Sequence, residues 1–175
     1  MAIAPDTKDW TWVLQRRCPE CGYDAGASTR PAVPGLIRGN AASWEEVLRR
    51  RNAADLRTRP RDDRWSAAEY ACHVRDVFRI FDQRLVLMLE QDDPTFANWD
   101  QDATAVADRY QDQEPRVVSA ELGEAAHRIA DRFAGLTDAQ WERTGGRSDG
   151  ARFSVDSFAR YLIHDPVHHL HDVGG

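Results

Sequence analysis

The stretch Ser66–Glu90, SAAEYACHVRDVFRIFDQRLVLMLE, decides the fold. Ser66 followed three residues later by Glu69 is a capping box, in which each side chain satisfies a backbone N–H at a helix start. Behind it, Tyr70, Val74, Val77, Phe78, Phe81, Leu85 and Met88 recur at three and four, the spacing that places side chains on one face of a helix. The pattern predicts a helix over about 67–90, with His73 within or at the edge of its buried stripe. Working outward, the segment after Pro115 repeats the pattern at Val118, Leu122, Ala125, Ala126, Ile129 and Phe133. Val155, Phe158, Leu162, Pro166, Leu170 and Val173 do so again, with Pro166 expected to kink the helix because it lacks a backbone donor. Upstream, Leu36, Ala41, Trp44, Val47, Leu48 and Ala54 mark another helix between Pro31 and Arg57. Gly35 and Gly39 weaken its early part, so its start lies either near Pro34 or at the Ser43-x-x-Glu46 capping box.

Four main helices without a convincing set of strands indicate an all-α bundle. The polar run 91–114 reads as a long connection with one helical turn, Thr137-x-x-Gln140 caps a short turn holding Trp141, and the glycine-rich run before Phe153 reads as a loop or a small extended turn. Residues 1–30 lack any sustained period. They read as an N-terminal extension packed on a single helical domain at 31–175.

Composition narrows the function classes. With 175 residues, one core is the expectation. Lys and Arg total 23 against 29 Asp and Glu, for a net charge of -6, which argues against an electrostatic nucleic-acid binder. No apolar run is long enough to span a membrane, which leaves small-molecule chemistry or a protein partner. Lys8 is the only lysine, so the basic residues are almost all arginine, a mark of a GC-rich genome. The opening residues show no basic segment followed by an apolar run, and three cysteines are too few for a disulfide framework, so a reducing cytoplasm is the expected location.

Four of the six histidines fall between His164 and His171. His164 and His168 stand four apart, so their rings project on one side of a helix, as a shared divalent ion requires. The third ligand has to come from another element, and His73 is the histidine nearest the centre of an amphipathic helix; His127 lies on a solvated face. Against this stands the simpler reading that buried histidines are hydrogen-bonded core residues, although burying two imidazoles without partners costs free energy. Asp76, one turn after His73, and Asp172, one turn after His168, are placed either to orient the imidazoles or to face solvent. His169 and His171 are expected at the surface. The string His164-Asp165-Pro166-Val167-His168 has HExxH spacing, but the shorter carboxylate and the proline disturb the geometry of a general base.

Cys18-Pro19-Glu20-Cys21-Gly22 has the form of half a zinc ribbon. No second CxxC exists, so a Cys₄ site within the chain is excluded. Three readings stand for the pair: packing, a metal site that recruits a histidine from the C-terminal group, or a redox-active dithiol.

The segments Trp65 to Phe78, WSAAEYACHVRDVF, and Phe153 to Val173, FSVDSFARYLIHDPVHHLHDV, resemble the DinB/YfiT-like superfamily of metal-binding four-helix bundles. The resemblance implies an up-down-down-up bundle and, by position, His73, His164 and His168 as metal ligands. It implies a thiol S-transferase-like enzyme in which a divalent ion, zinc first and nickel, manganese or iron after it, activates mycothiol or another small thiol for attack on an electrophile. The related maleylpyruvate isomerase uses mycothiol. Family helices often continue HHxGQ, whereas Leu170-His171-Asp172 follows here, which passes that glutamine's role to Asp172. The expected partners are a small-molecule thiol and an electrophile, with no nucleic acid or membrane and with a homodimer allowed. The rival readings are a non-catalytic metal-binding stress or interaction protein and a CxxC dithiol redox protein.

Overall fold

The computed structural model describes residues 9–175; the first eight residues of the N-terminal extension lie outside the described residues. Seven helices follow in order: α1 (Val33–Arg50), α2 (Ala53–Arg57), α3 (Ala67–Glu90), α4 (Gln101–Ala107), α5 (Pro115–Ala134), α6 (Asp138–Trp141) and α7 (Val155–Asp172). The long four build the bundle. α5 packs against both α1 and α3, and α7 closes the other side against the same two helices. Trp44, Phe78, Leu85, Met88, Leu122, Ile129, Phe133, Phe158 and Leu162 fill the interior and are essentially inaccessible to solvent.

The Ser66–Glu69 capping box is present, and α3 starts immediately behind it. Glu69 is itself buried and also accepts a hydrogen bond from Arg59 Nε at 2.9 Å, so this cap ties the α2–α3 connection to the bundle. α1 begins at Val33, well before Ser43, whose hydroxyl donates instead to the Gly39 carbonyl within the helix. Gly35 and Gly39 face open space. Their cost of about 1 kcal/mol each is outweighed by burying Val33, Ile37, Ala41 and Trp44 on the opposite face. α7 runs through Pro166 without interruption, and the Pro166 carbonyl accepts a hydrogen bond from Trp44 Nε1 at 3.3 Å.

Between the helices lies a small sheet that helical periodicity does not reveal. β2 (Thr144–Arg147) pairs antiparallel with β3 (Arg152–Ser154) in the register Gly145 to Phe153, and β1 (Thr95–Phe96) adds to β2 in parallel. Close approach explains the glycine at position 145: a Cβ there would stand 2.8 Å from Met88 Cγ. β1 pairs with β2 and α4 packs on α3, so the 91–114 connection is held to the rest of the fold at both places. The N-terminal segment packs along α7 through the short helical turn Trp10–Leu14, which is capped by Asp9. Among the described residues no helix is long and apolar enough to cross a membrane.

Candidate metal centre

Helix α7 carries two interleaved i,i+4 pairs: His164 with His168, and Asp165 with His169. A step of one residue rotates about 100° around the axis, so the pairs face different surroundings.

The second pair meets α3. Asp165 Oδ1 lies 3.2 Å from His73 Nε2 and 3.8 Å from His169 Nε2, and all three ligand atoms are within 4.8 Å of one another. His73 is fully buried, stacked on Trp99 at 5.3 Å with the rings 4° from parallel, and flanked by Trp65. His169 Nδ1 lies 3.1 Å from Asp172 Oδ2. A carboxylate accepts only, so Nδ1 donates to Asp172, and Nε2 is turned toward Asp165. This is how metal-ligating histidines are oriented. Asp172 is steadied in turn by Arg64 at 3.5 Å. Burial would raise the Asp165 carboxyl, but the charges of His73 and His169 and the His73 hydrogen bond outweigh it and hold the group ionised, below the usual carboxylate range.

The donor set of two imidazoles and one carboxylate suits zinc and its first-row neighbours, and three protein ligands leave a position for a reactant. Asp165 and His169, and also His164 and His168, line a cavity of about 490 Å³ together with Trp10, Phe81, Trp99, Tyr161, Arg84 and Arg147; His73 reaches it through its contact with Asp165. Arg84 is buried, and its Nη2 donates to the Ala97 carbonyl at 2.9 Å. Burial, reinforced by the charge of Arg147, pushes its pKa down to about 10. Arg147 is held by Asp149 and donates to the Tyr161 hydroxyl. Arg84 therefore presents a cation to the cavity with no carboxylate partner among the described residues.

The first pair meets the N-terminal segment. Cys18, Cys21, His164 and His168 offer ligand atoms that all lie within 4.8 Å of one another, with Cys18 Sγ 3.7 Å from His168 Nδ1. The extension thus comes to the helix that carries the histidine cluster. Burial, with a lesser contribution from the charge of His168, pushes the His164 pKa down to about 4, so the ring is neutral at neutral pH. Burial likewise pushes the Cys21 thiol up to about 11.

The structure thus divides the sequence-derived candidates. His164 and His168 stand together, as their spacing predicts, while the ligand atoms of His73 gather with Asp165 and His169. Asp172 orients an imidazole, that of His169, and lies 3.9 Å from His168 Nε2. Asp76 accepts from Arg75 and from the Tyr110 hydroxyl at 2.6 Å, so its carboxylate is committed to the α3 and 110–112 junction. Sequence spacing alone does not single out Asp165 and His169, because α7 contains two pairs of identical spacing. A signal is present: relative to the apolar stripe of Val155, Phe158, Leu162 and Pro166, His169 lies about 25° from the centre and His164 about 165°. His169 accordingly meets α3, whereas the buried His164 is covered by the N-terminal segment.

A helical bundle with imidazole and carboxylate ligands gathered beside a cavity defines the class: a four-helix bundle with candidate divalent-metal sites. Residues 36–173 match the model of the DinB superfamily, and the chain belongs to that family. In structure it is similar to YfiT from Bacillus subtilis, described as "a probable metal-dependent hydrolase with an unusual four-helix bundle topology". The TM-score is 0.75 at 19% identity, over 83% of this chain and 85% of that one. No curated protein matches the sequence.

Proposed function

We propose that the protein is a metal-dependent enzyme in which His73, Asp165 and His169 hold a divalent ion, zinc foremost, and a low-molecular-weight thiol such as mycothiol attacks an electrophilic small molecule. In this reading His73 keeps the ligand role that the sequence pattern implies, and Asp165 and His169 supply the two ligands from α7. The observation that carries it is the convergence of Asp165 Oδ1 on His73 Nε2 at 3.2 Å and His169 Nε2 at 3.8 Å beside the cavity. When bound there, a divalent ion lowers the pKa of a coordinated thiol or water toward neutrality.

The chain's own residues supply the rest. Asp165 offsets part of the ion's charge, and Asp172 fixes the tautomer and rotation of His169. Trp99 and Trp65 shield His73 from water. Arg84 anchors an anionic group of the substrate, while Trp10, Phe81 and Tyr161 give its apolar part a surface. The substrate class is therefore a small electrophile that carries a carboxylate or similar anion.

A hydrolytic reading places water where the thiol would be, and the likeness to YfiT, described as a probable metal-dependent hydrolase, supports it. One assay separates the two. The metal-loaded protein is incubated with an anionic electrophile, with and without mycothiol, and with anionic ester and amide substrates. Loss of thiol in step with electrophile, abolished by His73→Ala, supports S-transfer. Thiol-independent turnover supports hydrolysis. Bound metal with no turnover of either kind would overturn both and leave a binding protein.

A further inference from the structure

We propose that Cys18, Cys21, His164 and His168 form a second, closed zinc site that fastens the N-terminal segment to α7 and so builds one wall of the cavity. The four donors come from opposite ends of the chain, yet their ligand atoms all lie within 4.8 Å of one another. A tetrahedral zinc with bonds of about 2.3 Å to sulfur and 2.0–2.1 Å to nitrogen has donor-to-donor edges of about 3.3–3.8 Å. The 3.7 Å between Cys18 Sγ and His168 Nδ1 falls on that edge.

The local backbone is made for it. Cys18 N–H donates to the Tyr23 carbonyl at 2.8 Å, and Gly22 N–H donates back to the Cys18 carbonyl at 3.0 Å. Gly22 sits at a φ of 76°, in the left-handed region, and Arg17 Nε donates to its carbonyl at 2.7 Å. This tight turn brings both thiols to the side that faces α7.

The imidazoles are equally prepared. His168 Nε2 faces the carboxylates of Glu20 at 3.6 Å and Asp172 at 3.9 Å, while its Nδ1 faces Cys18. His164 Nε2 is shielded from solvent and has no hydrogen-bond partner among the described residues. Cys18, His164 and His168 are all buried. Packing alone gives no reason to bury a polar nitrogen beside two sulfurs and a second imidazole, a placement that costs free energy without a ligand. Cys18 is 1% exposed and Cys21 is half-buried, so the pair is largely withdrawn from a redox partner in solution. Two thiolates neutralise the ion, as burial demands, and four protein donors leave no position for a reactant. The site is therefore architectural, unlike the three-ligand site one residue further along α7.

Its consequence reaches the cavity. Trp10 packs 5.4 Å from the His164 ring and 5.1 Å from the His168 ring, and Trp10 with Asp9 lines the cavity wall. Clamping Cys18 and Cys21 to α7 holds that wall in place.

The test is metal stoichiometry and cobalt spectroscopy on the full chain. We expect two zinc ions per wild-type chain, one in Cys18→Ser/Cys21→Ser, and one, still thiolate-bound, in His73→Ala. The cobalt-substituted wild-type protein should show intense thiolate-to-cobalt charge transfer in the near ultraviolet. His73→Ala should retain this band and Cys18→Ser/Cys21→Ser should lose it. Cobalt bound to the wild type without the band would overturn the proposal, whether or not any variant folds, as would persistence of the band in the double serine variant. A protein with the band but no turnover would defeat the enzymatic reading alone.

Discussion

Asp165 Oδ1 stands 3.2 Å from Nε2 of His73, joining α7 to α3 across 92 residues of chain at the edge of the cavity. A carboxylate this close to two imidazoles, with the far nitrogen of His169 held by Asp172, is a ligand set oriented before any ion arrives.

Asp172 acts through His169, so its removal should weaken metal binding without removing a ligand. Asp172→Ala is expected to lower affinity at the His73, Asp165 and His169 site by about 10- to 100-fold. Competition against a chromophoric chelator measures it, best in the Cys18→Ser/Cys21→Ser background, where only this site remains. Unchanged affinity would remove Asp172 from the centre.

Arg84 separates binding from stability. Losing a charge-assisted hydrogen bond to an anionic substrate costs about 1.5–3 kcal/mol, so Arg84→Met should raise KM by about 10- to 100-fold with kcat little changed. Because burial disfavours its charge and no carboxylate among the described residues pairs with it, the same variant should unfold at an equal or higher temperature than wild type. A clear fall in Tm with an unchanged KM would make Arg84 structural.

Acid should unfold the bundle through Asp76 and Glu69. Burial would raise both carboxyls, yet the hydrogen bonds from Arg75 and Tyr110 to Asp76, and from Arg59 and Ser66 to Glu69, hold them below their ordinary 3.8 and 4.5. A depressed folded-state pKa contributes stability that is fully present above the unfolded value and is lost as pH falls through the folded one. Urea unfolding should therefore show stability falling in two stages, first below about pH 6.5, where unfolded His164 takes up a proton that its buried ring refuses down to about 4, and further below about pH 4 as Asp76 and Glu69 are protonated. Asp76→Asn should cost about 2–3 kcal/mol at pH 7 and reduce that acid dependence. An unaltered pH profile would assign the acid response elsewhere.

Much of the fold is legible in the sequence, because the Ser66 capping box and the unbroken stripes of α3, α5 and α7 state their helices locally. The start of α1 is less so: Gly35 and Gly39 weaken local propensity, and the decision rests on tertiary burial of Ile37 and Trp44. Strands of two to four residues carry no usable period, so the sheet around Gly145 is settled only by what the bundle end leaves open. At the site, spacing identifies pairs on α7 but not the wall each pair faces. Neither the convergence of His73 with Asp165 nor that of Cys18 with His168 has a local signature, since each contact joins distant parts of the chain.

The most direct test is anomalous scattering at the zinc edge from crystals grown with zinc. A peak bounded by His73 Nε2, Asp165 and His169 Nε2 is expected beside the cavity. A map with no peak there, or with His73 sharing one ion with His164 and His168, would contradict this ligand set.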